Sequence, residues 1–183
     1  MKLPVINHPD YVAKINDDNK FPIKKFGALA KYLLNLRIVK DFFIPKECSI
    51  DTLKTSHSLE YINHIKNKTL DIQLQKKIGF PINDSVIKRS FIATGGTVLA
   101  SKLALDAKVA CNTAGGSHHA TYNSGAGYCV FNDVAVAANY LKKKGYAKKI
   151  LILDLDVHQG NGNSEIFSKD RDVTTFSMHC ASN

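Results

Sequence analysis

The chain has 183 residues, of which 44% are hydrophobic and 22% charged, a balance that suits one soluble domain with a sizeable core. No run approaches the ~18 consecutive apolar residues of a membrane helix, and MKLPVINHPD lacks the apolar middle of a secretory signal, so a cytoplasmic location is expected. A net charge of +9 would attract polyanions, but the lysines are spread along the chain (24–25, 76–77, 142–144, 148–149); nucleic acid is not the expected partner, and a basic polypeptide would be repelled.

Leu3 to Asn7 reads as a short strand, HPDY as a turn and Asn16 to Lys20 as a surface loop. Phe26 to Leu36 carries Leu29, Tyr32, Leu33 and Leu36 at helical spacing, and His57 to Lys66 repeats the pattern with Leu59, Ile62 and Ile65. IVKDFFI between them is a candidate strand. Asn83 or Asp84 caps a longer helix through Leu105, in which Gly95 and Gly96 cost helical stability and point to close packing. Lys108 to Asn112 is a short strand. Asn132 or Asp133 caps a helix with Val134, Ala137, Ala138 and Leu141 facing inward, stopped by Gly145. KKILILDLDVH and VTTFSMH read as further strands. Strands alternating with helices predict an α/β fold whose parallel sheet is covered on both faces, which lets Ile150 to Leu153 be apolar without alternation. No repeat, low-complexity tract or linker divides residues 1–183. Cys48, Cys111, Cys129 and Cys180 form no CxxC pair and read as reduced thiols.

Two clusters carry chemistry. If the strand runs on through His158, its two-residue period projects Asp154, Asp156 and His158 from one face, the last two at the carboxyl end, where open α/β sheets bind ligands. A carboxylate and an imidazole side by side suit zinc, and Gln159 to Asn163 reads as a tight loop beside them. The second cluster is AGGSHHATYNSGAGYC. Gly115 and Gly116 turn the chain after a strand and deliver His118 and His119 together; adjacent side chains diverge, so one suits a general base and the other an electrostatic partner.

Taken together, AGGSHHA, GYCVFNDVAVAA and ILDLDVHQGNG resemble the zinc-dependent histone deacetylase family of the arginase/deacetylase fold, and the HQGNG form is most similar to its class IV and bacterial members. HPDY, FPIKKF and SHSLEYI extend the likeness over nearly the whole chain. The resemblance implies one zinc ion, with Asp156 and His158 as ligands, His119 as general base and His118 as its neighbour held by Asp154. It puts Asn161 where some members have an aspartate beside the second histidine, and Gly127 and Tyr128 at the Gly-Phe step of the acyl channel. Backbone oxygens of Asp154, Asp156 and His158, with Ser177 and Met178, match a structural potassium site. The implied reaction is hydrolysis of an N-acyl amide, with acetyl-lysine or an acetylated polyamine as substrate class.

The same resemblance implies a third zinc ligand, an aspartate, and a carbonyl-polarising tyrosine in later segments, so the chain reads as the amino-terminal portion of such a domain. Asp170 and Asp172 fall at the wrong end of the sheet to replace the ligand, and His179 and Cys180 have no such role in the family. A sheet short of its last strands is expected to expose an edge and an uncovered apolar face, an aggregation hazard. Two alternatives remain. A two-manganese ureohydrolase shares the fold but needs a DxHxD carboxylate where Gly160 stands. A non-catalytic module would bind acyl-lysine or polyanions.

Overall fold

A computed structural model, which describes residues 3–181, arranges the chain as helices around two pairs of parallel strands. β1 (Val5–Ile6) pairs with β2 (Cys111–Asn112), and β3 (Ile150–Asp154) pairs with β4 (Val173–Ser177) from Ile150 opposite Val173 to Asp154 opposite Ser177. Parallel neighbours need long crossovers. Between β1 and β2 run α1 (Lys25–Asn35), α2 (Ile50–Leu53), α3 (Leu59–Asn67), α4 (Ile72–Ile78) and α5 (Asp84–Ala107). α6 (Asp133–Lys143) leads to β3, and α7 (Asn161–Ile166) joins β3 to β4.

The strands are shorter than their apolar runs. Residues 38–44 contribute one bridge, Ile6 to Phe43, in place of a strand, and only the end of Lys108–Asn112 pairs. The expected caps hold: Asn83 Oδ1 accepts the Val86 N–H and Asn132 Oδ1 that of Ala135, each at 2.9 Å. Ser58 caps α3 through the Tyr61 N–H, which leaves His57 outside the helix. In α1 the buried residues are Phe26 and Ala30, while Leu29, Tyr32 and Leu36 face solvent.

The main core joins Ile62 and Ile65 of α3, Ile78 of α4, Val86 of α5, Phe131 and Val136. Full burial of each such aliphatic chain is worth about 1.5–3 kcal/mol. Inside α5, a Cβ on Gly96 would lie 2.1 Å from the Tyr11 hydroxyl and one on Gly95 2.0 Å from the Lys46 carbonyl, so both glycines permit the close approach their sequence suggested. Ala135 and Ala138 of α6 form a second core with Ile152, Phe167 and Val173, so α6 is enclosed on two sides and its small residues fit there. Ala137 is buried as expected, whereas Val134 and Leu141 are only half-buried.

The β3–β4 pair is not covered on both faces. Ile152 and Val173 pack under α6, but on the opposite face Leu151 is 63%, Leu153 58% and Phe176 50% exposed. The expected uncovered face is therefore present at β3–β4, whereas in β1 the adjacent Val5 and Ile6 are both buried.

Candidate active site

β3 stops at Asp154, four residues before His158. Asp154 Oδ1 accepts the N–H of Asp156 at 3.1 Å, and Asp156 Oδ1 accepts that of His158 at 2.8 Å. Each aspartate thus caps its own turn two residues on, and these bends replace the strand alternation expected there. They leave the Asp156 carboxylate 3.0 Å from His158 Nδ1, both side chains about half exposed. Partial burial pushes the Asp156 carboxyl up, but hydrogen bonds from the backbone and ring of His158, with the imidazoles of His118 and His158 nearby, outweigh it and hold the group below its ordinary range.

The histidine pair follows β2. Gly116 turns with φ 78°, and the buried Asp133 carboxylate, 1% exposed, accepts the N–H groups of Gly116 at 3.1 Å and Ser117 at 2.7 Å and the Thr97 hydroxyl. A carboxylate with this many donors fixes the backbone just before His118. Buried His118 donates from Nδ1 to Asp154 Oδ2 at 2.6 Å. His119 donates from Nδ1 to Asn161 Oδ1 at 2.7 Å. The two rings lie 4.2 Å apart between centroids; His118 Nε2 is 3.8 Å from Asp156 Oδ1, and the His119 ring is 5.8 Å from that of His158. Asp154, Asp156, His158, His118, His119 and Asn161 therefore converge. Asn161 reaches its place by opening α7, where the QGNGN composition reads as loop.

Several supporting residues gave no sign of this role in the sequence, where Asn132 reads as a helix cap and His57 only as part of SHSLEYI. His57 is fully buried; its Nδ1 donates to Thr121 O at 2.8 Å and its Nε2 accepts the Asn132 N–H at 2.9 Å. Burial drives its pKa down to about 4, against weaker opposing hydrogen bonds, so it is neutral in the fold. From Asn132 the contacts continue: its Nδ2 donates to Asn163 Oδ1 at 2.9 Å, and Asn163 Nδ2 reaches Asp154 Oδ2 at 3.4 Å. His57 is thus linked to His118 through Asn132, Asn163 and Asp154.

A cavity of about 430 Å³ opens over the histidines. Gly127 and Tyr128 line it, both in left-handed backbone, φ 52° and 65°. That conformation is strained for tyrosine and is held by the Tyr128 N–H bond to Ile78 O at 2.7 Å and by ring contacts at 5.0 Å with Phe21 and 5.2 Å with Phe80. A Cβ on Gly127 would lie 2.5 Å from His119 Cδ2, so glycine is what lets the wall reach the ring.

The donor chemistry of Asp156 and His158 suits a divalent cation, yet no group of three metal-ligating side chains is assembled among the described residues. Asp170 pairs with Lys142 and Asp172 with Lys149, at the far end of β4. His179 hydrogen-bonds the Ser177 hydroxyl at 3.0 Å. A Cβ at Gly160 would sit 2.2 Å from Asp154 Oδ2, so a side chain there, as a second metal would require, would have to displace the Asp154 carboxylate from His118. Of the backbone oxygens assigned to potassium, that of Asp154 accepts the Met178 N–H at 3.0 Å.

The Histone deacetylase domain profile matches residues 20–183. An uncharacterized protein of Picosynechococcus sp. is 42% identical over all of this chain and 62% of its own length. The acetoin utilization protein AcuC of Staphylococcus aureus is 31% identical over 91% of this chain and 46% of its own. Among solved structures, an HDAC homolog complexed with SAHA superposes with a TM-score of 0.82 at 30% identity, covering 98% of this chain and 51% of that one. An HDAC homolog from Aquifex aeolicus gives 0.81 at 30% identity with the same coverage. The chain spans about half to three fifths of the length of these relatives. It has the α/β arginase/deacetylase fold and belongs to the histone deacetylase family, which includes bacterial members.

Proposed function

We propose that this chain carries the histidine half of a zinc-dependent amidohydrolase that removes acyl groups from N-acyl amides such as acetyl-lysine or an acetylated polyamine. The observation that carries the reading is the pair of dyads, His118–Asp154 and His119–Asn161, meeting Asp156 and His158 at one cavity. Asp156 and His158 would hold the zinc with a third ligand from outside the described residues, and the ion would supply Lewis-acid polarisation of the acyl carbonyl and of the attacking water.

The protein's own contribution follows from its hydrogen bonds. Asn161 Oδ1 accepts from His119 Nδ1, so His119 keeps its Nε2 lone pair for the water proton and can return that proton to the leaving amine. Asn161 is neutral and adds no charge to favour the imidazolium, which suits a base that starts unprotonated. Asp154 accepts the His118 Nδ1 proton and so fixes the orientation of that ring. Gly127 and Tyr128 form the wall along which the acyl chain would lie. A structural potassium on the backbone oxygens of Asp154, Asp156 and His158, with Ser177 and Met178, and a class IV-like assignment belong to the same proposal.

The test is hydrolysis of an Nε-acetyl-lysine peptide by the complete, zinc-loaded domain with and without a chelator. Chelator-sensitive turnover that falls at least about a hundredfold in His119→Ala is expected. Binding of the acyl-lysine without hydrolysis would favour the non-catalytic module instead.

A further inference from the structure

The cavity over the histidines has an uneven charge. Lys20, Lys25 and Arg89 line it together with Phe21, Phe26 and Tyr128, and among the described residues its only carboxylate is that of Asp156: three cations against one anion, before any metal is added. None of the three cations makes an ion pair among the described residues. Arg89 is the unusual one. It projects from α5 and is 7% exposed, with its guanidinium carbon 4.8 Å from the Phe26 ring centre and 5.9 Å from those of Phe21 and Phe80. Its Nε donates to Tyr11 O at 3.0 Å; no other hydrogen bond from this side chain is present among the described residues. Lys25 Nζ lies against the same rings, 4.7 Å from Phe21 and 5.3 Å from Phe26.

Burying a guanidinium costs free energy unless its donors are answered, and planar terminal N–H pairs match a carboxylate in a two-point fork. The carboxylate that acts on Arg89 inside the protein, Asp133, makes no hydrogen bond to it among the described residues; its oxygens accept from Gly116, Ser117 and Thr97. An acetyl group would leave the guanidinium unpaired, and an acylated polyamine would add cations to a cavity already in surplus. The complement of aromatic walls with an open guanidinium is an apolar stem ending in an anion.

Resting on the amidohydrolase reading, we propose that Arg89 receives a carboxylate at the end of the substrate's acyl chain, so that the site takes amides of short dicarboxylic acids, of the succinyl or glutaryl kind, in preference to acetyl amides. Hydrolysis of such an amide breaks the C–N bond; the water oxygen enters the new carboxylate, its protons pass to the amine, and a free dicarboxylate leaves.

The test is binding to the metal-free 183-residue chain by calorimetric titration, with Nε-glutaryl-lysine amide, Nε-acetyl-lysine amide, glutarate and acetate as probes. Glutaryl-lysine is expected to bind about tenfold or more tightly than acetyl-lysine, as a charge-assisted pair requires. That preference should vanish in Arg89→Gln and partly survive in Arg89→Lys. If the buried variants do not fold, Lys25→Gln, at an exposed position, is expected to narrow the preference about threefold by lowering the positive surplus. Equal binding of the two amides by the unsubstituted chain overturns the carboxylate site while leaving the amidohydrolase reading intact. So does acetate binding as tightly as glutarate, which would mark a pocket for the product carboxylate only. Arg89-dependent binding of glutarate without binding of either amide overturns the proposal together with the amidohydrolase reading, because the anion then enters without an acyl chain.

Discussion

Acidification should unfold this protein earlier than its carboxylates alone would dictate, and His57 is the reason. In the fold its pKa is pushed by burial from the ordinary 6.5 to about 4, whereas in the unfolded chain it returns to the ordinary value. Between those two values the unfolded chain holds a proton that the native one does not, so stability is complete above about pH 6.5 and is lost progressively as pH falls to about 4. At about 1.4 kcal/mol per pKa unit, the depression corresponds to roughly 3 kcal/mol of stability lost across that window. The structural cause is specific: protonation removes the lone pair that accepts the Asn132 N–H, at a fully buried position. The assay is urea unfolding at pH 8, 6.5, 5 and 4, followed by far-UV circular dichroism because the chain has no tryptophan. His57→Gln should be less stable at pH 8 by about 1–2 kcal/mol, yet lose roughly 3 kcal/mol less than the parent on going to pH 4. Parallel pH dependences in the two proteins would falsify this account of His57.

Two further predictions concern groups beneath the site. Asp133→Ala leaves two backbone N–H groups and the Thr97 hydroxyl without their acceptor and should cost on the order of 3 kcal/mol in denaturant unfolding; a change under about 0.5 kcal/mol would show that the loop before His118 does not depend on this clamp. Burial pushes the thiols of Cys48 and Cys129 up to about 12, while Cys111 and Cys180 are exposed. A thiol reagent at pH 7.5 should therefore label two sites quickly in the native protein and four after denaturation, read by mass spectrometry.

The features legible in the sequence are those set by short-range chemistry. Asn83 and Asn132 cap their helices through their own side chains, so a local signal was enough. The histidine and aspartate clusters were visible because ionisable residues at the end of an apolar strand need a reason to be there. The strand through His158 was misread because Asp154 and Asp156 spend their carboxylates on backbone turns, and alternation cannot register that competition. α7 was missed because its glycines and asparagines have poor helix propensity; what favours it is tertiary, with the Asn163 N–H held by the His118 carbonyl at 3.3 Å. The stripe of Leu29, Tyr32 and Leu36 showed a real helix but not which side packs. His57, Asp133 and Arg89 act through burial, which a residue's type does not announce.

The link from His57 through Asn132, Asn163 and Asp154 to His118 has a consequence for how the protein forms. Its successive contacts join residues 75, 31, 9 and 36 positions apart. Three of the four therefore require a long loop to close before anything is gained, which places them among the late events of folding. No single segment, refolded alone, can hold the histidines in register. Amide hydrogens along this link, such as that of Asn132, will exchange with solvent only when the surrounding structure opens as a unit, making their protection a direct gauge of whether a given preparation contains an assembled site.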